Sequence, residues 1–139
     1  MQIIAGQDEA VAGWAGANLG VRFQEPYTAY GFTDANGNID GAVVFNDYYP
    51  GGNVEVTYFG PRSLSRSVIL FMARFCFDEL KATRVTAKTR RSNCVVRRLL
   101  PKGGFAFECT QRRYFGPEKG DDALVFVMTR ENAARWLKR

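Results

Sequence analysis

Apolar and polar positions alternate along Val54–Phe59. Val54, Val56 and Tyr58 fall on one face and Glu55, Thr57 and Phe59 on the other, the period of a strand. Tyr27–Thr33 and Ile39–Asn46 are two further strands. They are joined by Asp34-Ala35-Asn36-Gly37-Asn38, whose Asn-Gly pair is a tight-turn signal. Gln2–Ala5 is a short strand, and Tyr48–Gly52 is a loop. Helical spacing first appears at Ala10, Val11, Trp14, Ala15 and Leu19, which predicts a helix over Asp8–Leu19 that Gly20 ends. Gly13 and Gly16 weaken it by about 1 kcal/mol each. Ser67–Lys81 is apolar around nearly its whole circumference, so a helix there is buried on several sides, and Arg74 can pair with Asp78 one turn on.

Arg84–Thr89 is a strand. Ser92 or Asn93 then caps a helix ending at Leu100, with Val95, Val96, Leu99 and Leu100 as its stripe and Pro101–Gly104 as its stop. Phe105–Tyr114 and Ala123–Thr129 form an antiparallel pair, and Glu131–Leu137 is a short terminal helix. Three hairpin-linked strands followed by a strand–helix–strand crossover make a mixed α/β sheet with helices on both faces.

Composition narrows the chemistry. A chain of 139 residues is expected to form one domain over 1–139, and 46% hydrophobic with 24% charged residues excludes disorder. There is no apolar run of about 18 residues and no basic, apolar leader at Met1–Ala5, so a cytoplasmic protein without a membrane partner is expected. Histidine is absent, which removes Ser-His and Cys-His catalysis and His-ligated metals. Cys76, Cys94 and Cys109 lie far apart without a CxxC pair, so neither a metal site nor a disulfide framework is expected.

The net charge of +5 is unevenly spread. Residues 1–61 carry one base and seven acids, whereas 62–113 carry thirteen bases and three acids, a local charge of +10. The middle segment either meets an anionic partner, a phosphate-bearing cofactor or nucleic acid, or is a solvated basic surface. Within it, Phe59-Gly60-Pro61-Arg62-Ser63-Leu64-Ser65-Arg66-Ser67 leads from a strand into the buried helix. Unpaired N–H groups at such a start suit an anion, and Arg62 and Arg66 add full charges; a capped helix with two solvated arginines is the alternative.

This order of elements, with several local motifs, resembles the GNAT acetyltransferase superfamily, in particular its ribosomal-protein N-terminal acetyltransferase branch. The resemblance spans nearly the whole chain and is most specific from Arg84 to Met128. Arg84–Thr89 resembles the family's fifth strand. Arg91-Ser92-Asn93 with Gly103-Gly104-Phe105 twelve residues beyond Asn93 resembles its "N…GF" helix, and Glu108–Arg113 with Asp121–Phe126 its last hairpin.

The resemblance implies a mostly antiparallel sheet whose fourth and fifth strands splay apart around acetyl-coenzyme A, with an amine as acceptor. It implies that the Val56, Tyr58 and Phe59 backbone meets the pantetheine arm. Arg62, Ser63, Leu64, Ser65, Arg66 and Ser67 would cradle the pyrophosphate, and Asn93 would lie near the sulfur. Two positions depart from the family pattern. Serines 65 and 67 replace the small residues of the phosphate loop, and Leu100 stands where many members carry a tyrosine that protonates the thiolate. Water or another residue such as Tyr114 must then supply that proton.

Glu55, mid-strand beside the expected cleft, is the first candidate for general base, ahead of Asp47 and Glu108, an exposed strand carboxylate being its alternative. Tyr27, Tyr30, Tyr48, Tyr49 and Tyr58 either wall the acceptor side or pack the sheet. Cys94 has no base partner in the sequence. The resemblance also admits a nucleic-acid modifier of the kind of the phage Mom proteins, reading phosphates through residues 62–113, and a non-catalytic binding module. Homodimers are common in the family.

Overall fold

The computed structural model describes residues 2–60 and 65–138. Its strands are β1 (Ile3–Ile4), β2 (Thr28–Thr33), β3 (Ile39–Asn46), β4 (Asn53–Phe59), β5 (Arg84–Arg90), β6 (Ala106–Gln111) and β7 (Ala123–Thr129). The α-helices are α1 (Asp8–Leu19), α2 (Arg66–Ala73), α3 (Cys94–Lys102) and α4 (Ala134–Leu137). The strands form one seven-stranded sheet in the order β1-β2-β3-β4-β5-β7-β6. Every pairing is antiparallel except β4 with β5.

Alternation in the strands divides the core between two faces. Phe32, Val43, Phe45, Val54, Val56, Val85 and Phe126 point to the face covered by α2, with Leu100 of α3 and Trp136 of α4 in the same cluster. Ala29, Ala42 and Val44 point the other way, to Val11, Ala12 and Ala15 of α1. Small strand residues let this glycine-bearing helix lie close. At Gly16 a side chain would run into the Val21 carbonyl, so the glycine that weakens α1 is required by its packing.

The helix expected over Ser67–Lys81 is α-helical only to Ala73 and continues as a π-helix over Arg74–Glu79. Its wider turn, closed by Leu80 N donating to Phe75 O at 2.9 Å, accompanies complete burial of the adjacent Cys76 and Phe77. Phe71 and Phe75 stack with ring centres 6.4 Å apart and meet Tyr30 edge-on. The strand expected over Phe105–Tyr114 is shorter, because past Gln111 the chain leaves the ladder with β7 and turns, with Arg113 at positive φ. The terminal helix shrinks to one turn, Ala134–Leu137.

Candidate active site

β4 and β5 pair only from Asn53↔Arg84 to Glu55↔Thr86, although both strands run on. β4 stays paired with β3 as far as Phe59, and β5 with β7 as far as Arg90. Past Glu55 and Thr86 the two strands therefore diverge, each with an edge not used in the ladder. The result is a wedge whose walls are strand edges, the splay that the sequence resemblance implies. Such edges offer N–H and C=O groups to an extended ligand as another strand would.

Charged side chains cross the start of this wedge. Glu55 Oε1 lies 3.1 Å from Lys88 Nζ, both side chains less than one-fifth exposed. The Lys88 ammonium also donates to Tyr114 Oη at 3.4 Å and sits 4.6 Å from that ring's centre. Register explains the pairing: Thr86 faces Glu55, and Lys88, two residues further, emerges on the same side of the sheet. Burial pulls the Lys88 pKa down, but the hydrogen bonds and attractions of Glu55 and Tyr114 outweigh it, and the ammonium titrates above an ordinary lysine. On the other side of Glu55 its register partner is Asn46, whose buried Oδ1 has no hydrogen-bond partner among the described residues.

The remaining expected site residues are placed as follows. Val56 turns its side chain into the core, Tyr58 packs against that core, and Phe59 meets Trp14 edge-to-face at 5.5 Å, so all three have only backbone on the wedge edge. Ser65 caps α2, its Oγ accepting from Val68 N at 3.2 Å. Arg66 and Ser67 are exposed on its first turn. Arg62, Ser63 and Leu64 lie outside the described residues. Asn93 caps α3 just past the end of β5, Oδ1 accepting from Val96 N at 3.2 Å, and its amide nitrogen, a donor, takes no part in the cap. Leu100 is buried in the main core, so the position where the family carries its tyrosine presents no polar group.

Other candidates are engaged elsewhere. Arg84 makes two hydrogen bonds to Glu108, which hold that carboxyl below its usual range. Tyr48 donates to Leu80 O, Tyr30 and Tyr58 pack the core, and Tyr49 is 75% exposed. Arg90 pairs with Asp121 and Arg91 with Asp122. Lys88, Arg90 and Arg91 are thus paired with carboxylates from outside the basic segment, so the +10 overstates by three the charge it presents. Sequence reading missed Lys88 and Asn46; a lone lysine between buried Ala87 and Thr89 in a strand was the available signal for the first.

No family model and no curated protein sequence matches the chain. Solved structures do. A dodecameric spermidine N-acetyltransferase from Vibrio cholerae superposes with a TM-score of 0.77 at 13% identity, over 99% of this chain and 96% of that one. A chimera of the Vibrio cholerae enzyme SpeG with hSSAT gives 0.74 at 14% identity, over 99% and 100%. Another such chimera gives 0.68 at 16%, over 84% and 72%. The likeness is one of fold.

Proposed function

We propose that this chain, which has the GNAT fold, is an N-acetyltransferase that moves an acetyl group from acetyl-coenzyme A to an amine. The observation that carries the reading is the wedge between β4 and β5, with unladdered strand edges on both walls and a carboxylate at its start. The residues present fit the coenzyme. The backbone of Val56–Phe59 can pair with its amide-bearing arm. Ser65, Arg66 and Ser67, with Arg62, Ser63 and Leu64 before them, would meet its pyrophosphate, and the Asn93 amide would meet the arm near the sulfur. Bound there, the coenzyme supplies an activated acetyl thioester.

The chain's own residues supply positioning and proton handling. An amine must lose its proton to attack a carbonyl, and Glu55 is placed to accept it. Lys88 holds that carboxylate across the wedge. Backbone N–H groups on the β4 edge are donors for a polarised carbonyl oxygen. Tyr114 Oη, held by Lys88, keeps a proton at the wedge that can neutralise a departing thiolate, the role Leu100 cannot fill. A cationic acceptor is drawn to the acidic first half of the chain, which includes Asp8, Glu9 and Glu25 around one cleft beside Tyr27. Spermidine, the substrate named for the structural neighbours, is therefore the first acceptor to assay. One neighbour is a dodecamer, and we extend self-association to this chain, with the edge strand β6, whose residues are all exposed, as its surface.

Calorimetric titration with acetyl-coenzyme A, followed by thiol release on an amine panel, tests the reading. Binding in the micromolar range, lost in Arg62→Ala with Arg66→Ala, and turnover lost in Glu55→Gln are the expected results. No binding at millimolar ligand overturns it. The buried Leu100 favours one second reading, a GNAT-fold binding module, which predicts coenzyme binding with no turnover on any amine.

A further inference from the structure

The first turn of α2, the end of α3 and the single turn of α4 meet around a cleft of about 300 Å³. Each element contributes one cation to its lining: Arg66, Lys102 and Arg135. None of the three forms an ion pair among the described residues, whereas Arg84, Lys88, Arg90 and Arg91 all do. Three uncompensated like charges around one concavity repel one another, and an anion between them relieves that repulsion.

Two of the three cations pack on one ring. Trp136 donates its indole N–H to the Gly103 carbonyl at 2.7 Å, which fixes the ring. Arg66 and Arg135 lie over that ring at 5.5 and 4.7 Å from its centre. Arg135 further donates to the Lys102 carbonyl at the end of α3. These contacts restrict the two guanidiniums before a ligand arrives, which lowers the entropic cost of binding.

We propose that this cleft binds a phosphate monoester, and that the ligand group is the ribose 3′-phosphate of coenzyme A. Two guanidiniums and one ammonium match the charge of about −2 on such a group. Arg66 belongs both to this cleft and to the turn assigned to the pyrophosphate, so one ligand with two separate phosphate groups accounts for both. The inference rests on the acetyl-coenzyme A reading for the identity of the ligand. It adds Lys102 and Arg135, two residues that the sequence did not single out, as determinants of specificity.

The test compares coenzyme A, 3′-dephospho-coenzyme A, adenosine 3′,5′-bisphosphate and inorganic phosphate by calorimetry on the intact chain. The same ligands are titrated against Lys102→Ala and Lys102→Ala with Arg135→Gln, and melting curves confirm that each variant folds. Two charge-assisted contacts predict that coenzyme A binds at least about tenfold tighter than its dephospho form. That preference is expected to collapse to about twofold in the double variant, while dephospho-coenzyme A affinity is unchanged. Equal affinity of the wild-type chain for both forms overturns the inference and leaves the acetyltransferase reading standing. Bisphosphate binding that depends on Lys102, in a chain that transfers no acetyl group, supports the cleft and overturns the reaction. Inorganic phosphate binding as tightly as the bisphosphate overturns the assignment to the coenzyme, and binding of none of the four overturns both.

Discussion

Glu55 and Lys88 occupy opposite strands where the ladder between them ends, and their pairing governs what each can do. Replacing Glu55 with glutamine keeps the shape and removes the proton acceptor. Turnover should fall by about 10²–10⁴ with acetyl-coenzyme A affinity unchanged, measured by thiol release and calorimetry. The pairing also makes a prediction about stability. Lys88 titrates above its usual 10.5, so its contribution is complete below the unfolded-state pKa and is lost as pH rises through the folded one. Urea midpoints should therefore fall as pH rises above the ordinary lysine value in the wild type, and less steeply in Lys88→Met. Equal slopes would show that the pair does not stabilise the fold. Glu55 could be nominated from sequence because the period of its strand set it on the face opposite Val54 and Val56. Lys88 could not, because its partner is distant in sequence and parallel register alone brings the two together.

Capping side chains illustrate how an element's signal and a site's signal overlap. Ser65 and Asn93 both accept a backbone N–H three residues ahead, at 3.2 Å, and so begin α2 and α3. Ser65→Ala should cost about 1 kcal/mol of unfolding free energy by urea titration, because it leaves that N–H without its partner. Asn93 allows a sharper separation. Asn93→Ser retains a cap, so stability should change by no more than about 0.5 kcal/mol, yet it removes the amide donor assigned to the coenzyme. Weaker acetyl-coenzyme A binding in a variant of unchanged melting temperature would establish the second role, and unchanged binding would eliminate it. Helix starts were legible because Ser and Asn compete with the helix interior and favour its ends. The change from α- to π-helix at Arg74 was not, since no residue type there marks a wider turn, and it accompanies the packing of Phe71, Phe75 and Phe77 above the sheet.

Across the whole molecule, α1 covers one face of the sheet while α2, α3 and α4 share the other, and the wedge opens where β4 and β5 part. Phe77 lies in the larger core at 0% exposure, so Phe77→Ala should cost about 3–5 kcal/mol in chemical unfolding. Loss of under about 1 kcal/mol would mean that the core collapses around the cavity. The order of elements, the antiparallel bias and the buried character of α2 are determined by the sequence itself, because period, turn residues and caps act over a few neighbouring positions. The divergence of β4 and β5 was expected only through the family resemblance, since nothing in either strand's own pattern marks where pairing stops. Charge shows the same division. The sequence places thirteen bases between residues 62 and 113, but only the tertiary structure decides which of them are neutralised. Arg84, Lys88, Arg90 and Arg91 meet carboxylates far away in the chain, while Arg66 and Lys102 converge with Arg135, from beyond the segment, on one cleft without an ion pair among the described residues. Ion pairing depends on distances of a few ångströms between groups that sequence separates widely, and those distances exist only once the sheet and its helices are assembled.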